Sequence, residues 1–218
     1  MVETSRRREI EDAASSLFHE HGYAGTSVRE IARALDIQGA SLYAHVTSKQ
    51  DMLWSIVVRT ADRFEAAADA ALAALGDSDS DADSDPDSDS DPDVKRSPDP
   101  GSRLTALVRA HVGVVTEDIG QASVFVHEWR SLSASHRAEI GRRRDAYEHR
   151  LRAVIRDGME RGDFAATDPT AAAAFILTAL NGLVGWYRPG GRLKPGALAD
   201  LYAALALRAV RHLDEVTQ

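Results

Sequence analysis

Apolar residues recur along this chain with the period of an α-helix. Ile10, Ala13, Ala14, Leu17 and Phe18 follow the i, i+3, i+4, i+7, i+8 rule, which predicts a first helix from about Thr4 or Ser5 with Gly22 as its stop. Ser27-Val28-Arg29-Glu30 is a capping box that opens a second helix with Val28, Ile31, Ala32 and Leu35 on its apolar face. Asp36-Ile37 makes a turn, and a short third helix follows at about 38–45. Ser48 then caps a long fourth helix, with Leu53, Ile56, Val57 and Phe64 inside, which runs through an alanine-rich stretch to about Leu75.

The helical pattern resumes at Ser102, with Leu104, Leu107, Val108, His111, Val112 and Val115 in phase. A short segment, Gln121 to Leu132, precedes a long charged helix from about Ser135 to Arg161, which carries Ile140, Tyr147, Leu151, Val154, Ile155 and Met159 along one side and is closed by Gly162. Asp168-Pro169 supplies an N-cap and a proline at the first helical position. The helix it opens is apolar nearly all round to Tyr187, and Pro189-Gly190-Gly191 ends it. A last helix begins near Pro195 with Leu198, Leu201, Leu205 and Val210. No segment reads as a strand, so the fold class expected is all-α with about nine helices.

A helix that is apolar on most sides must be covered on most sides. The segments 168–188 and 195–214 are therefore either central in the bundle or the face of a homodimer, and the second reading is preferred.

Residues 77 to 93 place Asp at every odd position, alternating with Ser, Ala or Pro. Such a stretch self-repels and cannot bury apolar surface, so 76–101 reads as a disordered acidic insert. An EF-hand loop would need a glycine and a distal glutamate that are missing, so no metal site is expected there. The insert also explains the formal charge of −8: ten Asp against Lys95 and Arg96 within 76–102 supply all of it, and the rest of the chain is balanced. Residues 1–49 hold six Lys/Arg against seven Asp/Glu, so bulk charge makes no case for nucleic acid, and the placement of individual cations has to make it.

The chain has no cysteine, which excludes disulfides, thiolate metal sites and a cysteine nucleophile. No apolar run approaches the roughly 20 residues that span a bilayer, and the basic start is followed by no apolar leader, so the expected location is the cytoplasm. Gly-x-Ser-x-Gly, Walker, Gly-x-Gly-x-x-Gly and His-Glu-x-x-His patterns are all missing, so no catalytic residue and no cofactor is expected.

Two short helices about a tight turn form a helix-turn-helix, an element that places its second helix in the major groove. Thr26 and Ser27 lie at a helix N-terminus, where hydroxyl and free N–H groups suit a phosphate. Gln38, Gly39 and Ala40 open the second helix; the small residues allow close approach, and Gln38 can pair with adenine. Lys49 sits in the first turn of a helix, where a cation opposes the dipole, so a phosphate contact is the better reason for it. Arg6 to Arg8 read as a flexible basic arm.

Phe18-x-x-x-Gly22-Tyr23, Thr26-Ser27-Val28-Arg29-Glu30-Ile31-Ala32, Ser41-Leu42-Tyr43-x-His45-Val46 and Lys49-x-x-Met52-Leu53 resemble the TetR family of bacterial transcriptional regulators. The family implies an N-terminal DNA-binding domain, here residues 1–49, and a ligand-binding and dimerisation domain, here 50–218. It also implies phosphate contacts at Ser41, Tyr43 and His45; Tyr43 has an apolar reading as a core aromatic beside it. Asp36 departs from the family's usual glycine in the turn, a position where Asp is tolerated.

Glu128-Trp129-Arg130 and Asn181 with Trp186-Tyr187-Arg188-Pro189-Gly190-Gly191 look like the members that sense CoA thioesters. The ligand-binding set expected is Trp129, Arg130, Asn181, Trp186, Tyr187 and Arg188, with an arginine on CoA phosphates and a ring stacked on adenine. Each has a structural alternative, such as Trp186 in dimer packing or Arg130 paired with Glu128. The function implied is a repressor released from a palindromic double-stranded DNA operator by a small effector. Two other readings stay open: an efflux regulator that senses lipophilic drugs through Glu117, Asp118 and Glu128, and a helical interaction module that no longer reads DNA.

Overall fold

The computed structural model describes residues 2–78, 98–165 and 168–211. Among them are ten α-helices and one 3-10 turn, and no strand. The helices are α1 (Val2–Gly25), α2 (Val28–Ala34), α3 (Gly39–Tyr43), α4 (Lys49–Ser78), α5 (Pro100–Glu117), α6 (Ile119–His127), α7 (Ala134–Glu160), α8 (Pro169–Asn181), α9 (Leu183–Trp186) and α10 (Pro195–Val210), with the 3-10 turn at Trp129–Ser131. The expected count of nine becomes ten because a turn at Gly182 splits the next-to-last helix.

Local chemistry places most boundaries. The capping box forms as read: Glu30 N–H donates to Ser27 Oγ, and Ser27 N–H donates to the Glu30 carboxylate. Asp36 takes a left-handed φ of 52° at the turn between α2 and α3. Ser48 Oγ accepts from Asp51 N–H at the start of α4. Gly162 closes α7 with φ 80°. Gly22 ends the first regular stretch as read: its backbone leaves the helical range at φ 75°, ψ 158°, and one more turn follows beyond this kink to Gly25.

Three expectations change. Residues 6–8 are not a loose arm, because α1 begins at Val2 and Arg7 pairs with both Glu11 and Asp51. The acidic insert is shorter than read at both ends. The helix α4 reaches Ser78, and α5 starts at Pro100, capped by Asp99, whose carboxylate accepts from Gly101 and Ser102 N–H. Residues 79–97 of the insert lie outside the described residues, as do 212–214 of the expected last helix. Finally, Pro169–Trp186 does reach the length and apolar composition of a bilayer-crossing helix, although one face of it (Ala173, Ile176, Leu180, Leu183, Val184) is buried in the protein.

The chain forms two compact units. The first comprises the described residues of Met1–Arg63, Val114–Ala146 and Asn181–Arg188. Its core is Ile10, Phe18, Ile31, Leu42, Met52, Leu53, Ile56, Leu132 and Ile140, all essentially fully buried. Each contributes about 1.5–3 kcal/mol through removal from water. Beside that core the Glu11 carboxylate, only 3% exposed, is held by Arg7 at 2.9 Å and Arg59 at 2.8 Å. A buried charge is tolerable only when paired in this way.

The second unit comprises the described residues of Phe64–Gly113, Tyr147–Leu180 and Pro189–Gln218. Leu104, Leu107, Val108, Leu151, Val154, Ile155, Leu198 and Val210 fill it. His111 Nδ1 lies 3.2 Å from Tyr147 OH, and burial pushes the Tyr147 phenol well above its ordinary value. Phe164 folds back over Gly158, where an added Cβ would sit 2.2 Å from the ring.

Candidate nucleic-acid interface and effector site

The helix-turn-helix is held by the Ser27–Glu30 capping box and by a few side chains that enter the core of the first unit. Ile31, Ala32 and Leu42 are its buried residues on α2 and α3. With only Leu42 committed inward on α3, the opposite face stays open. Gln38, Ala40, Ser41, Tyr43 and Ala44 are exposed, Tyr43 at 54%, and Gly39 is partly so. The apolar reading of Tyr43 as a core aromatic therefore fails. Gln38 is the N-cap of α3 and makes no side-chain cap bond, so its amide stays available. His45 turns Nδ1 into the protein, where it has no partner, and its carbonyl accepts from Arg7.

Ser27 is exposed and serves as the α2 cap. The box takes the N–H groups of Ser27 and Glu30, which leaves those of Val28 and Arg29 without an intrahelical acceptor. The Ser27 N–H in turn holds the Glu30 carboxyl below its ordinary range.

Two of the nine expected DNA contacts face inward. Thr26 is 2% exposed, and its hydroxyl lies 2.9 Å from Gly22 O and 3.1 Å from Leu17 O, closing the end of α1. The Lys49 ammonium donates to Tyr23 O at 2.7 Å and Thr26 O at 2.8 Å and lies 4.1 Å over the Tyr23 ring. The carbonyls at the end of α1 are the groups a cation satisfies best, which explains a lysine placed against the dipole of its own helix.

All six expected effector residues fall in the first unit, in two separate segments of the chain. Trp129 and Arg130 lie in the 3-10 turn after α6, with the Arg130 guanidinium 4.8 Å from the Trp129 ring. Asn181 ends α8 partly exposed, and Trp186, Tyr187 and Arg188 follow around α9. Tyr187 is buried at 3%, whereas Trp186 and Arg188 are exposed, and Arg188 donates to Tyr187 O. The helix α6 packs against both α1 and α9, so it touches the DNA-binding helices and the segment that ends in Tyr187.

The sequence reading missed Arg144. Its guanidinium lies 5.1 Å over the Phe125 ring and 5.3 Å from that of Trp129. The signal was present: residue 144 falls on the stripe defined by Ile140, Tyr147 and Leu151. Burial and the charge of Arg130 push Arg144 below its ordinary value.

The acidic residues that a sensor of lipophilic cations would need have other engagements. Glu117 pairs with Arg63, and Asp118 caps α6 by accepting from Gln121 N–H. Glu128 lies against α1, with Oε1 3.5 Å from the position of a Cβ on Gly22, and among the described residues it forms no ion pair with Arg130.

Both halves of the chain are similar to known proteins. Residues 10–56 match the family described as bacterial regulatory proteins, tetR family, and residues 97–210 match the tetracyclin repressor-like C-terminal domain. The chain is 27% identical to the HTH-type transcriptional repressor KstR2 of Rhodococcus jostii strain RHA1, over 94% of this chain and 90% of that protein. The structure of the ketosteroid transcriptional regulator KstR2 of Mycobacterium tuberculosis superposes with a TM-score of 0.79 at 26% identity, covering 95% of this chain and 96% of that one. AibR in complex with isovaleryl coenzyme A and operator DNA superposes with a TM-score of 0.71 at 27% identity, covering 92% and 97%.

Proposed function

The chain belongs to the TetR family of bacterial regulatory proteins, and we propose that it is a transcriptional repressor that leaves a palindromic operator when an acyl-CoA thioester binds. The observation that carries the DNA half of this reading is the open face of α3. Gln38, Gly39, Ala40, Ser41 and Tyr43 form a small, polar surface on a helix whose single buried side chain, Leu42, anchors it. Gln38 reads a base edge, and Ser27, Ser41, Tyr43 and His45 hold phosphates.

The effector half rests on Trp129, Arg130 and the Asn181–Arg188 segment, and on the coenzyme A thioester bound by AibR. The link between the halves is α6, which packs on both α1 and α9. An effector that favours one placement of α6 changes DNA affinity only by its difference in affinity for the two placements.

The repressor acts as a homodimer through α8 and α10. Phe175 on α8, at 64% exposed, and Leu201 and Leu205 on α10, at 44% and 48%, are large apolar side chains left to solvent in the single chain. A dimer of this kind reads half-sites about 34–36 Å apart or a multiple of the helical turn.

The test is an anisotropy titration of the purified protein onto fluorescent duplexes from its own promoter region, with and without isovaleryl-CoA and longer acyl-CoAs. The expected result is salt-dependent binding by a dimer, with one of the thioesters releasing the DNA. Salt-independent or absent binding rejects the repressor reading. Binding that no thioester releases rejects the effector.

A further inference from the structure

We infer that Arg144, Arg130 and the indole N–H of Trp129 form an anion-receiving corner of the first unit that takes an oxyanion, phosphate or carboxylate, of the effector. This deepens the effector reading above and rests on it for the location of the ligand.

The partly buried arginines of α7 are Arg143, Arg144, Arg150 and Arg152. Three of them hold a carboxylate: Arg143 pairs with Asp62, Arg150 with Asp69 and Arg152 with Glu148. Arg144 pairs with none among the described residues and lies instead over aromatic rings. Asp145 attracts it through space, but neither nearby acid forms an ion pair with it among the described residues. Asp145 is exposed and a residue further round the helix, and Glu128 faces Gly22.

Two guanidiniums therefore share one indole: Arg130 at 4.8 Å and Arg144 at 5.3 Å from the Trp129 ring. Burial is the larger reason that Arg144 lies below its ordinary value, and the like charge of the exposed Arg130 adds to it. Trp129 adds a third observation, because its Nε1 is buried with no hydrogen-bond partner. A buried donor without an acceptor costs free energy, and so does a desolvated cation without a counter-charge. One oxyanion answers all three: it accepts from Nε1, neutralises both arginines and meets a planar guanidinium in its preferred forked geometry. The aromatic rings hold the Arg144 fork in place without consuming its donors.

The experiment is calorimetric titration of the full chain with coenzyme A, octanoate and pantetheine, in wild type, R144Q, R144K and W129F. Pantetheine carries no anion and is the control. The expected result is that R144Q weakens an anionic probe at least about ten-fold, R144K recovers part of the loss, W129F weakens the same probe less, and pantetheine is unaffected. Loss confined to coenzyme A assigns a phosphate. Loss confined to octanoate, with coenzyme A not bound, supports the corner while rejecting the acyl-CoA reading. Coenzyme A bound equally by all four proteins overturns the corner and leaves that reading intact. Parallel loss of pantetheine, or failure of both anions to bind wild type, also overturns the corner. R144K and W129F keep the volume of the site, so the comparison survives if R144Q folds poorly.

Discussion

Replacing Lys49 with methionine separates two roles for the same cation. The ammonium donates to Tyr23 O and Thr26 O at 2.7 and 2.8 Å and lies over the Tyr23 ring, tying the start of α4 to the end of α1. A hydrogen bond to a charged donor contributes about 1.5–3 kcal/mol. Partial exposure lets water replace part of each, roughly halving the value, and the ring contact adds about 0.5 kcal/mol. Methionine keeps the apolar stem, so the net loss is about 2–3 kcal/mol. For a chain of this size that lowers Tm by about 5–10 °C at fixed protein concentration. A phosphate contact has a different signature: its removal lowers the slope of log affinity against log salt by about 0.9. The expected outcome is a large drop in Tm by differential scanning calorimetry, with an unchanged salt slope for operator binding measured well below the melt. A K49M protein that melts like wild type but loses about one unit of slope would refute the clamp and restore the phosphate contact.

Tyr43→Ala, at an exposed position, should weaken binding to operator and to scrambled duplex by a similar factor, about ten-fold, with Tm unchanged; retained affinity in the anisotropy assay would remove Tyr43 from the interface. The same Gly→Ala change should have opposite signs at two positions of α7. At Gly141 no neighbour lies within 4 Å and the helix gains about 0.5–1 kcal/mol, whereas at Gly158 the new Cβ meets the buried Phe164 ring at 2.2 Å and the net loss is about 1–2 kcal/mol, both read by thermal melts. Burial raises the Asp51 carboxyl, but the Thr47 N–H and Arg7 outweigh it, so its folded pKa lies below the ordinary value. A depressed carboxylate stabilises above its unfolded pKa of about 3.9 and loses that contribution as pH falls through the folded value. Asp51→Asn should therefore cost stability at neutral pH and converge with wild type in acid, in chemical denaturation run from about pH 7 to pH 2.

The helices and their order were legible because each boundary is set by a few adjacent residues. The Ser27–Glu30 box, Asp36 in the left-handed turn, Ser48 and Asp168-Pro169 all act over three or four positions. Asp99-Pro100 carries the same cap signature as Asp168-Pro169, yet the acidic run before it hid the start of α5. The family was legible too, since its motif is local and continuous. The side of each helix that faces solvent was only half legible. The short third helix carried no periodic signal to say that Leu42 would face inward and Tyr43, next to it, would be open, nor that Thr26 and Lys49 would turn to backbone carbonyls at and just beyond the end of α1.

What the sequence determined on its own is therefore an all-helical chain with a helix-turn-helix near its start, because helix formation and capping depend on neighbours a turn away. Tertiary structure decided which charged groups have partners. Arg7 was expected in a loose arm and is locked between Glu11 and Asp51, whereas Arg144 sits on an apolar stripe and forms no ion pair among the described residues. Electrostatic partners are chosen by distance in space, and residues 7 and 51, or 129 and 144, become neighbours only when the helices pack.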